Sequence, residues 1–302
     1  MELEEKKYWI WLSLLNLDIK KKHKILEIYK TPENIYKEKI ENLKKLFFLT
    51  PKNINNIIEL KNEELIYKHI NYMQENNIDI INYIDLEYPK ILKEIYDYPI
   101  TLYIKGNKKI LNGNNIGIVG CRECTEYGKT AAKYFSYNLS KEKINIVSGL
   151  AKGIDGYSHF GCLCSNKEKN NSGKTIAVVG NGLDIVYPKQ NNELAQEILN
   201  NDGAIISEYP CGTKPIKMNF PARNRIISGI SSGIVVIEAK EKSGTLITVD
   251  FALEQGKNVF VVPGNINSIN SVGTNRLIKD GAMLVTSYKD ILDSININWI
   301  KN

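Results

Sequence analysis

Two styles of sequence meet near residue 100. Before it, apolar residues recur at helical spacing: Tyr8, Trp11, Leu12 and Leu15 in one stretch, Ile54, Ile57 and Ile58 in another. The first 80 residues contain no glycine. Thr31-Pro32-Glu33-Asn34 and Thr50-Pro51 each read as an N-cap followed by proline in the first helical turn, where its missing N–H costs nothing. Residues 1–84 are therefore expected to form a small domain of short helices.

Beyond it come short apolar runs, each followed by a glycine-containing turn and a helical stretch. The runs at 101–104, 116–119, 144–147, 175–179, 204–206, 234–237, 259–262 and 283–285 are apolar on consecutive positions. That pattern suits strands buried on both faces of a parallel sheet. Amphipathic segments at 127–139, 191–199 and 246–254 supply the covering helices. Strand–helix alternation with right-handed crossovers makes the expected class α/β: an extended Rossmann-like, doubly wound, mostly parallel sheet over 85–302, joined to the small N-terminal all-helical domain. The Asn-rich stretch 164–173 reads as a loose surface loop.

Composition adds little. With 43% hydrophobic and 25% charged residues the chain is ordinary globular material, and a net charge of +6 leans only mildly towards anionic partners. The acidic start Met1-Glu2-Leu3-Glu4-Glu5 lacks the layout of a signal peptide, and no run approaches the ~20 apolar residues of a membrane span, so a cytoplasmic protein without membrane contact is expected. Five cysteines, an odd number without a signal, are expected as reduced thiols. Cys121-x-x-Cys124 and Cys162-x-Cys164 invite a zinc reading, set aside because the first pair falls in a loop with a better use.

Ligands of such sheets bind beyond the carboxyl ends of the strands. Gly117-Ile118-Val119-Gly120-Cys121-Arg122 offers a tight turn, amides that face an anion, and a permanently charged fork suited to phosphate. It is not G-x-G-x-x-G, and the next strand ends in Ser148-Gly149 rather than an acidic residue, so no dinucleotide cofactor, and no cofactor at all, is expected. Ser148-Gly149-Leu150-Ala151-Lys152-Gly153-Ile154-Asp155 again brings amides and one cation to a strand end. Asp155 reads as a partner for helix amides, and His159 as a hydrogen-bonding helix residue ahead of a catalytic one. Lys217, Phe220, Arg223 and Arg225 combine cations with an aromatic ring around the helix start at Pro221, the usual recipe for single-stranded nucleic acid. The competing reading puts Phe220 in the core and pairs the arginines, Arg225 above all, with Glu208 or Glu238. Ser243-Gly244-Thr245 caps another helix and offers a further anion cradle.

These motifs, with Gly182-Leu183-Asp184, Tyr187-Pro188, Ser207-Glu208, Phe220-Pro221-x-Arg223-Asn224-Arg225, Val262-Pro263-Gly264 and Gly273-Thr274-Asn275, resemble in order those of the DNA-processing A (DprA/Smf) family over about residues 85 to 290. The resemblance implies an extended Rossmann fold that dimerises, binds single-stranded DNA in a basic pocket, and loads the recombinase RecA onto incoming DNA during natural transformation, without catalysis. Carried over by motif, the phosphate loop falls on Gly120, Cys121 and Arg122, the base-contacting segment on Lys217 and Phe220, and the adjoining helix start on Arg223 and Asn224. Ser148, Gly149, Lys152, Gly244 and Thr245 belong to the same expected DNA site, with Lys189 on its rim. Cys121 stands where the family usually has Ser or Thr, which spares the backbone amide. Leu15-Asn16-Leu17-Asp18 lacks the glycine hairpin of a DNA-binding N-terminal module, and no C-terminal winged helix is expected. Two alternatives stay open: a nucleotide-binding sensor, and an N-glycosidase-like hydrolase using Glu208 or Glu238.

Overall fold

The computed structural model describes residues 3–168 and 171–299. The sequence readings placed on Met1, Glu2, residues 169–170 and the last three residues lie outside this range, as do the side chains of residues 3–5 and 296–299.

Among the described residues the N-terminal pattern becomes the helices α1 (Leu3–Leu14), α2 (Ile19–Tyr29), α3 (Pro32–Lys37), α4 (Ile40–Leu43), α5 (Pro51–Leu60) and α6 (Glu63–Glu75). Their starts are those the sequence signals. Thr31 Oγ1 accepts from the Asn34 amide at 3.2 Å, and Thr50 with Asn53 forms a reciprocal capping box. Trp11, Leu12, Leu15, Ile54 and Ile57 enter the core, whereas Ile58 stays outside it.

Helix α6 stops at Asn76-Asn77, where Asn77 adopts the left-handed conformation that asparagine tolerates. The chain then enters β1 (Ile78–Asn82), a strand inside the segment expected to be helical. It pairs antiparallel with β2 (Thr101–Gly106), register Ile80 to Tyr103. Five residues with one interior Asp are too short to declare a period, so the pairing partner decides the conformation.

Then follow β3 (Asn115–Val119), α7 (Glu126–Lys141), β4 (Asn145–Ser148), α8 (Ile154–Glu168), β5 (Thr175–Val178), α9 (Asn192–Asn200), β6 (Ala204–Ser207), α10 (Asn219–Gly229), β7 (Gly233–Val236), α11 (Gly244–Glu254), β8 (Asn258–Val261), α12 (Val272–Lys279), β9 (Met283–Leu284) and α13 (Tyr288–Trp299). Residues 164–168, expected in a loop, extend α8 instead. Among the described residues nine strands form one sheet in the order β1-β2-β6-β5-β4-β3-β7-β8-β9, antiparallel at β1–β2 and β2–β6 and parallel elsewhere. The expected α/β doubly wound class is what forms.

Every residue of β3 to β7 is buried, because both faces are covered. On one face Val119, Val147, Val178, Ile206 and Val236 pack with Ile226 and Ile227 of α10 and Val249 of α11. On the other, Ile118, Ile146 and Val235 meet Phe135 and Leu139 of α7. Towards β1 that face is covered by the N-terminal helices, whose Trp9, Trp11 and Ile70 share a core with Ile80, Tyr103 and Ile205. Polar ties reinforce the join: Ser13 and Tyr103 hydroxyls bond each other, His23 Nε2 lies 2.8 Å from the Tyr98 carbonyl, and Asp79 takes both Lys6 and Lys108. Among the described residues no helix is long and apolar enough to cross a membrane.

Candidate nucleic-acid interface

The strand order reverses at β3, between β4 and β7, and such a switch point leaves a crevice beyond the carboxyl ends of the strands. A cleft of about 580 Å³ lies there. Four loops wall it: Gly120–Glu123 after β3, Ala151 and Asp155 after β4, Lys217–Asn224 entering α10, and Lys240–Thr248 after β7.

Gly120 is needed for close approach, since a Cβ there would run into the Ile154 side chain of α8. The Cys121 amide, expected to face an anion, instead donates to the Glu238 carbonyl at 3.0 Å, and the thiol is buried, which raises its pKa. The sheet claims that amide because it continues the β3–β7 ladder by one bond. What the loop offers the cleft is Arg122, which is exposed and whose guanidinium carbon lies 5.6 Å from the Phe220 ring centre. Phe220 in turn stacks on Tyr187, centroids 5.5 Å apart and planes at 28°. A row of cation, ring and ring thus runs along one edge. Phe220 is only half-buried, so it is neither plain core nor fully presented, and Tyr187 is 41% exposed.

Arg223 is not on this rim. It is 4% exposed and donates through Nη1 to the Val178 carbonyl at the end of β5. Burial, partly offset by Asp155, lowers its pKa to about 10, and its Nε–H has no partner among the described residues. Its place under the cleft depends on Gly149, where a Cβ would occupy the guanidinium position. The Gly149 amide is already given to Asp155 Oδ2 at 3.2 Å, and the Ser148 hydroxyl donates to the Ile118 carbonyl at 2.7 Å. These two expected contacts therefore build the floor rather than line the cleft. Asp155 also takes the Ala151 amide at 3.4 Å, the amide-partner role read from the sequence, and burial raises its pKa.

Asn224 bonds the Gly244 carbonyl at 3.4 Å, fastening α10 to the start of α11. There Ser243 Oγ accepts from the Thr245 amide at 3.2 Å, so the cap uses that amide itself. The Gly244 amide is left without an acceptor among the described residues, beside open space that no Cβ would obstruct. Lys217 is exposed on the wall. Lys152 and Lys189 are exposed too but do not line this cleft; Lys152 faces a neighbouring concavity. Tyr187 and Lys240 are lining residues that the sequence reading did not single out. Tyr187 lay in the quoted Tyr-Pro motif, and its proximity to Phe220 is visible only once the chain is folded.

The lining holds four cations, Arg122, Lys217, Arg223 and Lys240, against two carboxylates, Glu123 and Asp155. The local excess is positive although the whole chain is only mildly so, which favours a polyanion here. The candidate acids of the hydrolase alternative are committed elsewhere. Glu208 makes a paired contact to Arg225 at 2.8 and 2.6 Å, and Glu238 accepts from Thr125 and, at 3.2 Å, from Asn270. Arg225 is thus the brace that the competing reading proposed. His159 bonds Thr175 Oγ1 through Nδ1 at 2.6 Å deep under the sheet, its pKa lowered to about 3 by burial and then by Arg223. Among the described residues no group of three His, Cys, Asp or Glu side chains is placed to hold a metal ion.

A sequence profile of DNA recombination-mediator protein A matches residues 79–296. The DNA processing protein DprA of Streptococcus pneumoniae is 47% identical over 205 residues, covering 68% of this chain and 70% of its own. Protein Smf of Escherichia coli is 41% identical over 215 residues, a match spanning 70% of this chain and 56% of that protein. The X-ray structure of the pneumococcal protein superposes with a TM-score of 0.81 at 37% identity, over 95% of this chain and 97% of that one. DNA processing protein A from Helicobacter pylori, whose structure describes a single-stranded DNA binding mode, gives 0.64 at 30% identity over 73% and 96%. The chain belongs to the DNA recombination-mediator protein A (DprA/Smf) family of DNA-processing proteins.

Proposed function

We propose that the cleft holds single-stranded DNA, and that this protein protects incoming DNA and loads RecA onto it in natural transformation and recombination, by binding alone. The observation that carries the reading is the Arg122–Phe220–Tyr187 row beside a cleft with excess positive charge. Charge that tracks a backbone plus rings with exposed faces suits unpaired bases of any sequence. The single-stranded DNA binding described for the Helicobacter relative supports it. RecA loading and a homodimer are what the family resemblance implies, and a cytoplasmic setting is the expectation from the sequence. The half-exposed Met283 and Leu284 on the outermost strand, β9, are compatible with pairing of two copies.

The test is titration of fluorescent oligothymidine with the wild type, Arg122→Ala and Lys217→Ala, with mononucleotides as a parallel arm. Both variants are expected to bind the oligonucleotide more weakly and with a shallower salt dependence. Unchanged affinity in both would overturn the cleft as the site. Tight binding of a mononucleotide with none of the oligonucleotide would favour the sensor reading instead.

A further inference from the structure

Beyond the Ala151–Gly153 turn lies a second concavity of about 330 Å³, lined by Lys133, Lys152, Tyr157, Phe160 and Asn191 among others. Its walls are α7 and α8, closed by the Lys152–Gly153 turn and by Leu194 of α9. Lys129 and Lys133 stand one turn apart on α7, and Tyr157 and Phe160 three residues apart on α8, so each pair shares a helix face. The packing sets ammonium groups against rings: Lys133 Nζ lies 5.2 Å from the Tyr157 centre and 4.9 Å from that of Phe160, and Lys129 Nζ 5.7 Å from Tyr157.

A lysine laid over a ring shields it from water, yet Phe160 remains 48% exposed. Lys129 is neutralised by Glu126, but Lys133 and Lys152 have no carboxylate partner among the described residues. An outward phenyl ring between uncompensated cations adds nothing to the core. It offers instead the two components of sequence-tolerant single-strand binding.

This face is continuous with the cleft. Gly153 is left-handed, and a Cβ on it would strike the carbonyl oxygens of Cys121 and Arg122. The Ile154 amide donates to the Cys121 carbonyl at 3.2 Å. The turn therefore sits directly against the Arg122 loop, with Ala151 lining the cleft and Lys152 lining the second concavity. Asn191 holds it from below through the carbonyls of Leu150 and Ala151, at 2.8 and 3.1 Å.

We propose that a single strand leaving the cleft crosses the Lys152–Gly153 turn and continues over α7 and α8, with phosphates beside Lys133 and Lys152 and a base against Phe160. This extension rests on the reading of the cleft as a single-stranded DNA site.

Oligothymidines of about six and about twenty nucleotides, bracketing one site and its continuation, are titrated against the full chain and its Lys133→Ala/Phe160→Ala variant. The expected result is roughly tenfold weaker binding of the longer strand by the variant, with the shorter strand bound as by the wild type. Ultraviolet irradiation of the wild type with the longer strand should also leave a thymine adduct on the α8 peptide carrying Phe160. Equal affinity of variant and wild type for the longer strand, or no adduct on that peptide, overturns the extension. So does an equal loss at both lengths, which would belong to the cleft. A wild type that binds neither length removes the cleft reading itself.

Discussion

The Arg122 guanidinium carbon stands 5.6 Å from the centre of the Phe220 ring, and so links the loop after β3 to the start of α10. Two groups in contact act on a ligand as a unit, and their effects should not add. In a double-mutant cycle with Arg122→Ala and Phe220→Ala, the double variant is expected to lose less oligothymidine affinity than the two singles together, by about 1 kcal/mol. Only the arginine neutralises a phosphate, so Arg122→Ala should also reduce the salt slope by about 0.7 while Phe220→Ala leaves it alone. Titrations at three salt concentrations give both quantities.

Tyr187 is the outer member of the stack, and replacing it tests whether a base uses its face. Tyr187→Ala should cost about 1–3 kcal/mol of oligothymidine binding, and Tyr187→Phe should restore most of it. Failure of the phenylalanine to rescue would shift the role from the ring to the hydroxyl.

The sequence made the sheet legible because its central strands are buried on both faces, and consecutive apolar residues announce that directly. β1 was hidden, since Ile78–Asn82 acquires its conformation from pairing with β2 rather than from its own pattern. In the cleft, residue type pointed to Arg122, Lys217 and Phe220, which do line it. It could not tell that Arg223 lines it from the floor, because a buried cation in the floor and an exposed one on the rim read alike. The difference lies in Gly149, whose missing side chain admits the guanidinium. Nor does a motif say which amides the fold has already used, as with Cys121 and Glu238.

Arg225 is a stability residue next to binding residues. Burial opposes its charge, but Glu208 and Asp97 outweigh that and raise its pKa. Arg225→Ala leaves the largely buried Glu208 without its guanidinium partner and should destabilise the protein by about 3 kcal/mol in denaturant unfolding. Arg225→Met combined with Glu208→Leu should recover part of this, because the charge left behind is then only that of Asp97, which reaches solvent.

His159 gives stability a pH dependence whose sign follows from its neutral burial. Its pKa is lowered to about 3 in the folded protein from 6.5, so below about pH 6.5 the unfolded chain binds the proton and the folded one does not. Stability is complete above that pH and is lost as the pH falls towards 3. Between pH 7 and 5 the loss from this group is on the order of 2 kcal/mol. Asp155, whose pKa is raised in the fold, acts in the opposite direction at lower pH. Unfolding midpoints of the wild type and His159→Gln across this range should converge as the pH drops. Parallel curves would assign the acid sensitivity to another group.

The antiparallel strand β1 has a practical consequence for anyone shortening the chain. It occupies the edge of β2, and the helices before it shield Tyr103 and Ile205 from solvent. A fragment beginning after residue 84 would keep every cleft residue yet carry a bare strand edge beside a newly wetted apolar face. Such edges recruit other strands, so the fragment is expected to self-associate and precipitate unless β1 is retained. Where the helices end and where the chain may safely be cut are therefore different places.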